Sequence, residues 1–257
     1  MGFAPDWLSL RAPADRAARD ARLLAMAGAR AGERIVDLGA GTGATVRAMS
    51  DVVPTGMRWT LVDNDPGLLA LAPRLGGRVT GVQADLTELD ALPLDGATLV
   101  TASALLDLVS EAWLEGLVAR LVRAGLPFYA ALSYDGEMSW TPEHDEDAAV
   151  TRAFNADQRS DKGFGPALGA ESATRAATLF RNAGYTVELA DSPWRLGPTD
   201  QTLQAELLDG IATAAARAGH NGTELWLATR RAALDHAEVR IGHKDLLAVP
   251  PERRAHG

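Results

Sequence analysis

Apolar positions in the first half of the chain fall into short continuous runs: around Ile35, Val36 and Leu38, then at 59–63, 79–84 and 97–102. Runs of this length with few polar interruptions predict strands buried on both faces. The period changes between and after them. Residues 44–49 have helical composition, and Trp113, Leu114, Leu117, Val118 and Leu121 recur on one helical face before a fifth apolar run at 126–133. Upstream, Ala17, Ala18, Ala21, Leu24 and Ala25 repeat at helical spacing, with Pro13 suited to a first turn. Strands alternating with helices predict a parallel, doubly wound α/β sheet.

Past Ser133 the alternation breaks. Residues 134–170 hold an acidic run (Glu143, Asp145, Glu146, Asp147) and a Gly/Pro-rich stretch at 161–169. The segment leaves the carboxyl end of strand five, where open α/β sheets bind ligands, so a substrate lid is expected there. Helical pattern returns at 170–183, with Ala173, Ala176, Ala177 and Phe180 inward, followed by a sixth strand at 185–190. A helical insertion over 195–237, with helices at 199–218 and 223–236, precedes a seventh strand at 239–249. Residues 250–254 read as a frayed tail, and the whole of 1–257 as a single domain.

Composition narrows the chemistry. At 257 residues, 47% hydrophobic and 23% charged, the chain can bury a full core. With no cysteine, disulfides, thiolate metal sites and cysteine nucleophiles are excluded. His144, His220, His236, His243 and His256 show no paired ligand spacing, so no metal is expected. A net charge of −9 makes nucleic acid an unfavourable partner. No apolar run reaches membrane-spanning length and the first residues lack signal-peptide character, which predicts no membrane association and a cytoplasmic location.

The most informative stretch is 33–43, where an apolar strand runs into Gly39, Gly41 and Gly43 and a helix opens at Ala44. Glycines let the chain reverse sharply and a ligand approach the bare backbone. Gly39, Gly41 and Ala44 satisfy the dinucleotide fingerprint, which admits a nicotinamide-dependent oxidoreductase. Asp37 argues against it: a carboxylate beside the loop repels a pyrophosphate and attracts an ammonium group.

Residues 36–43, Val-Asp-Leu-Gly-Ala-Gly-Thr-Gly, resemble motif I of the class I S-adenosylmethionine-dependent methyltransferases. Three later segments fall in the order that resemblance requires, ending at Asp63, Asp85 and Ser103. The resemblance implies a seven-stranded Rossmann-like methyltransferase sheet, doubly wound with helices on both faces and a lid insertion after strand five. It implies S-adenosylmethionine as cofactor, S-adenosylhomocysteine as product, and transfer by in-line displacement to a small-molecule acceptor. Asp37, Gly39, Ala40, Gly41 and Gly43 would then cradle the methionine part, and Asp63 would accept the ribose hydroxyls. Asn64 would lie along the adenine, Asp85 would accept its amino group with the Leu86 backbone beside the ring, and Ser103 would sit near the methionine. A cofactor-binding protein of this fold without catalysis is the third possibility.

Acceptor chemistry has fewer markers. Tyr134 and Asp135, with Trp140 and His144 beyond, would form an aromatic and acidic wall suited to an amine or supply a base for a hydroxyl, and Asp107 among Leu105, Leu106 and Leu108 would orient the acceptor or remove a proton; Tyr134, His144 and Asp107 are the catalytic candidates. Asp135 would contact substrate, and Arg159 and Lys162, with Arg152, point to a carboxylate or phosphate on it. On balance these cations favour a small anionic or zwitterionic metabolite. Arg11 and Arg19 would reach the cofactor carboxylate or, more simply, lie on a solvated helix face, while Trp7 and Leu8 would cap the cleft.

Overall fold

The computed structural model describes residues 4–74 and 78–252. Arg253 and Arg254 of the expected tail, and His256, lie outside the described residues. Among those described, five strands run parallel: β1 (Arg34–Leu38), β2 (Arg58–Asp63), β3 (Val79–Gln83), β4 (Leu99–Ser103) and the start of β5 (Phe128–Thr141). Antiparallel β8 (Glu238–Val249) pairs with β5, and β6 (Thr186–Asp191) with β8, giving the order β3-β2-β1-β4-β5-β8-β6. This is the seven-stranded doubly wound sheet expected. An eighth strand, β7 (Trp194–Leu196), pairs with the other end of β8. Three residues carry too little alternation to be distinguished from a loop in sequence.

Helices α1 (Pro5–Ala18), α2 (Ala21–Arg30), α3 (Ala44–Met49), α4 (Pro66–Ala70), α5 (Glu111–Ala124) and α7 (Ser172–Asn182) surround the sheet. Two apolar cores fill its faces. One gathers Val36, Val100, Leu114, Phe128 and Phe180, and the other Leu23, Ile35, Leu61, Leu99 and Leu247. The N-terminal segment departs from expectation: α1 starts at Pro5, Pro13 lies inside it, and the chain breaks at Arg19 before α2. Asp20 makes the restart, its Oδ1 accepting the Leu23 N–H at 2.7 Å as an N-cap.

The largest departure follows Ser133. β5 continues through Thr141 instead of opening into a loop, shifted by bulges against β8. Tyr134 and Trp140 turn inward there and join Trp194, Leu208, Ile211, Trp226, Val239 and Ile241 in a third core. Its outer wall is α6 (Asp147–Gln158), α8 (Gln201–Arg217) and α9 (Thr223–Ala232). The acidic run placed in the expected lid supplies part of this scaffold, since Asp147 accepts from Trp226 Nε1 at 2.8 Å and pairs with Arg230. Among the described residues, no helix is long and apolar enough to cross a membrane.

Candidate active site

The carboxyl ends of β1, β2, β3 and β4 open onto one cleft of about 270 Å³, roofed by Leu8, Arg11 and Asp15 of α1 and by Lys162, Gly163 and Phe164. Its floor is the glycine loop. Gly39, Gly41 and Gly43 all take left-handed φ angles. At Gly43 a Cβ would stand 2.8 Å from Pro73 Cδ, so the position rejects any side chain on two grounds. The loop is pinned to the neighbouring strands: Ala40 N–H donates to the Val62 carbonyl at 3.1 Å, and Gly41 N–H to Asp63 Oδ2 at 2.8 Å.

Asp63 ends β2 nearly buried, its other oxygen accepting the Asp65 N–H at 3.0 Å. Each oxygen thus takes one backbone donor and keeps a second lone pair. Asp85, after β3, is exposed, and its Oδ1 accepts both the N–H and the hydroxyl of Thr87, at 2.9 and 2.8 Å. Those bonds hold its carboxyl below the usual range. Leu86 is fixed through its carbonyl, which accepts from Trp113 Nε1 at 2.7 Å. At the end of β4, Ser103 Oγ accepts from Arg19 Nη2 at 2.8 Å, and the next residue, Ala104, takes a left-handed φ of 50°. A non-glycine residue held there marks backbone the surrounding structure over-determines.

Asp37 stands one layer back. It is buried, accepts from the Thr101 hydroxyl at 2.6 Å, and does not line the cleft. Burial pushes its pKa up to about 6, opposed by that hydroxyl, by Thr45 and by Arg19.

The inner end of the cleft is apolar, formed by Leu105, Leu108 and Phe164, with Phe164 set edge-on against Trp113 at 5.4 Å. Its two cations are already engaged. Arg11 makes a bidentate pair with Asp15 at 2.9 and 3.0 Å and lies 4.9 Å over the Trp194 ring. Lys162 Nζ donates to the Asp157 carbonyl, Asp157 Oδ2 and Ser160 Oγ, filling its three donors. Arg11 and Arg19 are both buried, which corrects the expectation of a solvated face; Leu8 does line the cleft, and Trp7 packs on Trp194.

Of the residues expected to act on the acceptor, only Lys162 lines the cleft. Asp107 lies just behind Leu105 and Leu108, its Oδ1 buried without a donor, and burial raises its pKa to about 6 while nearby Arg11 counteracts. Tyr134 is in the third core, its hydroxyl donating to Asn155 Oδ1 at 2.8 Å. Asp135 takes the Glu137 N–H at 3.1 Å, on the β5 extension. His144 uses Nδ1 to accept the Glu146 N–H at 3.1 Å, and Arg159 forms an exposed pair with Glu171 at 2.6 Å. None of these four lines the cleft. Sequence reasoning missed Asp15 and Phe164. The first was visible as the i,i+4 partner of Arg11, the second as the lone aromatic of a glycine-rich stretch.

Residues 35–127 match the family model described as Methyltransferase domain. Residues 35–127 thus carry a methyltransferase domain. The match spans β1 to the residue before β5 and so contains every acid of the cleft floor. Together with the motif at 36–43, the match implies S-adenosylmethionine as the methyl donor. Two solved structures share the fold beyond the matched region. The cyclopropane-fatty-acyl-phospholipid synthase-like protein from Lactobacillus casei superposes with a TM-score of 0.56 at 15% identity, covering 96% of this chain and 95% of that one. The YcgJ protein from Bacillus subtilis superposes with a TM-score of 0.52 at 15% identity, covering 90% of this chain and 97% of that one. No curated protein matches the sequence. The methyltransferase's own residues fit the cofactor's chemistry: carboxylates with free lone pairs face a glycine floor, suited to hydroxyl and amino donors.

Proposed function

We propose that this methyltransferase acts on a small acceptor that is uncharged or basic at the reacting end, admitted between Leu105, Leu108 and Phe164. The observation that carries the reading is the state of the cations: Arg11 and Lys162, the two that line the cleft, are each already engaged by a carboxylate of the chain itself. The preference for an anionic or zwitterionic metabolite, drawn from Arg159 and Lys162, loses its support, since both have partners. Net charge of −9 and a cleft of about 270 Å³ likewise favour a small molecule over a polyanion.

In this reading Asp63 holds the ribose hydroxyls and Asp85 the adenine amino group, with Asn64 and the Leu86 backbone along the base. The loop from Gly39 to Gly43 lies under the methionine part, with Ser103 at its side. S-adenosylmethionine supplies an electrophilic methyl on a sulfonium. The chain's contribution is to bring a nucleophile to within about 3–3.5 Å of it, in line, and to exclude water with Leu105, Leu108 and Phe164. Asp107, next to the Leu105 and Leu108 wall but not lining the cleft, would take the nucleophile's proton near neutral pH through one bridging water, its pKa raised by burial to about 6.

The test is methyl transfer from labelled S-adenosylmethionine to matched acceptor pairs, such as phenols and anilines with and without a carboxylate. Faster transfer to the uncharged members is expected, and preference for the carboxylates would overturn the reading. Asp107→Asn should lower the rate by about 10²-fold or more while leaving S-adenosylhomocysteine affinity unchanged. An unaltered rate would remove Asp107 from the chemistry.

A further inference from the structure

Asp245 of β8 contributes no atom to the cleft, yet its buried carboxylate is joined from two directions to the cleft edge at Ser103 and Ala104. Oδ2 accepts the Asp20 N–H at 3.0 Å and the Tyr129 hydroxyl at 3.1 Å; Oδ1 accepts the Leu132 N–H at 2.9 Å. Two routes lead from these bonds to the same short segment. Along the first, Asp20 caps α2 and fixes the corner between α1 and α2, so that Arg19, one residue earlier, places its guanidinium on Ser103 Oγ at 2.8 Å. Along the second, Leu132 is held in a left-handed conformation, φ 58°, at the β5 bulge. The carbonyl just before it, Ala131, accepts the N–H of Ala104, itself left-handed, at 2.9 Å. Ser103 and Ala104 both line the cleft.

We propose that Asp245 is a positioning residue for cofactor binding, clamping Ser103 and Ala104 from two directions by fixing the α1–α2 corner and the β5 bulge together. The chemistry asks for a carboxylate. Three donors converge on it, two of them backbone N–H groups that cannot rotate away, and the site needs an acceptor on both oxygens. An amide presents one acceptor and one NH₂, so one oxygen position would set donor against donor. The left-handed backbone at Leu132 and Ala104 is unfavourable on its own and persists because these bonds hold it.

The inference rests on the cofactor occupying this cleft, and two readouts on Asp245→Asn separate it from that reading. The first is amide hydrogen exchange of residues 19–23 and 103–105 in the unliganded protein. The second is S-adenosylhomocysteine affinity by calorimetry. The control is Phe180→Leu, a core truncation away from the cleft, at a temperature adjusted to equal fractional stability. Asp245→Asn should speed exchange at both segments beyond the control and weaken binding about tenfold, the scale of one hydrogen bond to a charged group. Exchange no faster than in the control would overturn the clamp, whatever the affinity. Wild-type protein that fails to bind S-adenosylhomocysteine would sink the cofactor reading alone, because exchange still decides the clamp. Should Asp245→Asn fail to fold, Arg19→Met severs the first route and leaves Asp245 in place. Weaker binding with faster exchange at 103–105 supports the clamp there, and wild-type values for both refute it.

Discussion

Asp63 and Asp157 are equally buried, each 9% exposed, yet they serve opposite ends of the cleft in opposite ways. Asp63 is held by two backbone N–H groups, from Gly41 and Asp65. Asp157 is held by side-chain cations, Lys162 on one oxygen and Arg217 on both. Backbone donors fix a carboxylate without cancelling its charge, whereas a cation fixes it and consumes the charge as well. The floor under β1 to β4 therefore keeps its acids available to a ligand, whereas the wall around Lys162 ties its acid, Asp157, to two cations of the chain. That contrast is why the floor reads clearly as the proposed donor end, while the proposed acceptor end offers shape in place of charge.

The largest expected effect tests a third carboxylate, Asp37, which has a hydroxyl donor but no cation bound to it. Its folded pKa of about 6 lies above the ordinary 3.8, as does that of Asp107. Below about pH 4 both groups are protonated in either state and cost nothing. Between pH 4 and 6 the unfolded chain ionises first, so stability should fall as pH rises through that window, on the order of 3 kcal/mol per group. Denaturant titrations across pH 4–7 check it, and Asp37→Asn should flatten part of the slope; an unchanged slope would show that Asp37 is not the group concerned.

Asp63→Ala comes next. It should weaken S-adenosylhomocysteine binding by about 1–3 kcal/mol, the value of hydrogen bonds to a charged group, measured by calorimetry on folded protein. Asp157→Asn is the counterpart at the other end. It should lower stability by about 1 kcal/mol, since the partners are only partly buried, and leave S-adenosylhomocysteine affinity as it was. If Asp157→Asn also weakened the cofactor, the two ends would not be independent. The smallest effect belongs to His144→Ala. With its ring engaged by the Glu146 N–H away from the cleft, stability should change by no more than about 0.5 kcal/mol and transfer rate not at all.

What could be read in the sequence followed from how local the cause was. Strands β1, β2 and β4 are buried along most of their length while β3 is a half-exposed edge, and the glycines and acids that close all four are set by turn geometry within a few residues, so their order and ends were legible. The β5 extension was not. Its pairing comes from β8, and the polar residues of 135–139 hide the inward Tyr134 and Trp140 that anchor it. Arg11 and Arg19 misled for the same reason: an arginine on an amphipathic helix looks solvated until Trp194 and Ser103, far along the chain, arrive beside it. Among the cleft residues, Asp63, Asp85 and Ser103 carried a local mark, whereas Leu105, Leu108 and Phe164 became neighbours only through the fold.

Strand β8 also bears on the order in which the molecule assembles. It is the shared partner of β5, β6 and β7, and its Asp245 reaches Leu132 across 113 residues of chain and Asp20 across 225. The parallel strands β1 to β4 instead meet through crossovers of a few tens of residues. Closing long loops costs entropy before any contact repays it, so the glycine floor and its acids are set to form ahead of the walls that β8 completes. Folding followed by pulsed hydrogen exchange should therefore protect β1, β2 and β4 first. The methyl-donor half would take shape before its inner end is locked, and the Asp245 bonds would be among the late steps that turn a nucleotide-binding sheet into a closed active site.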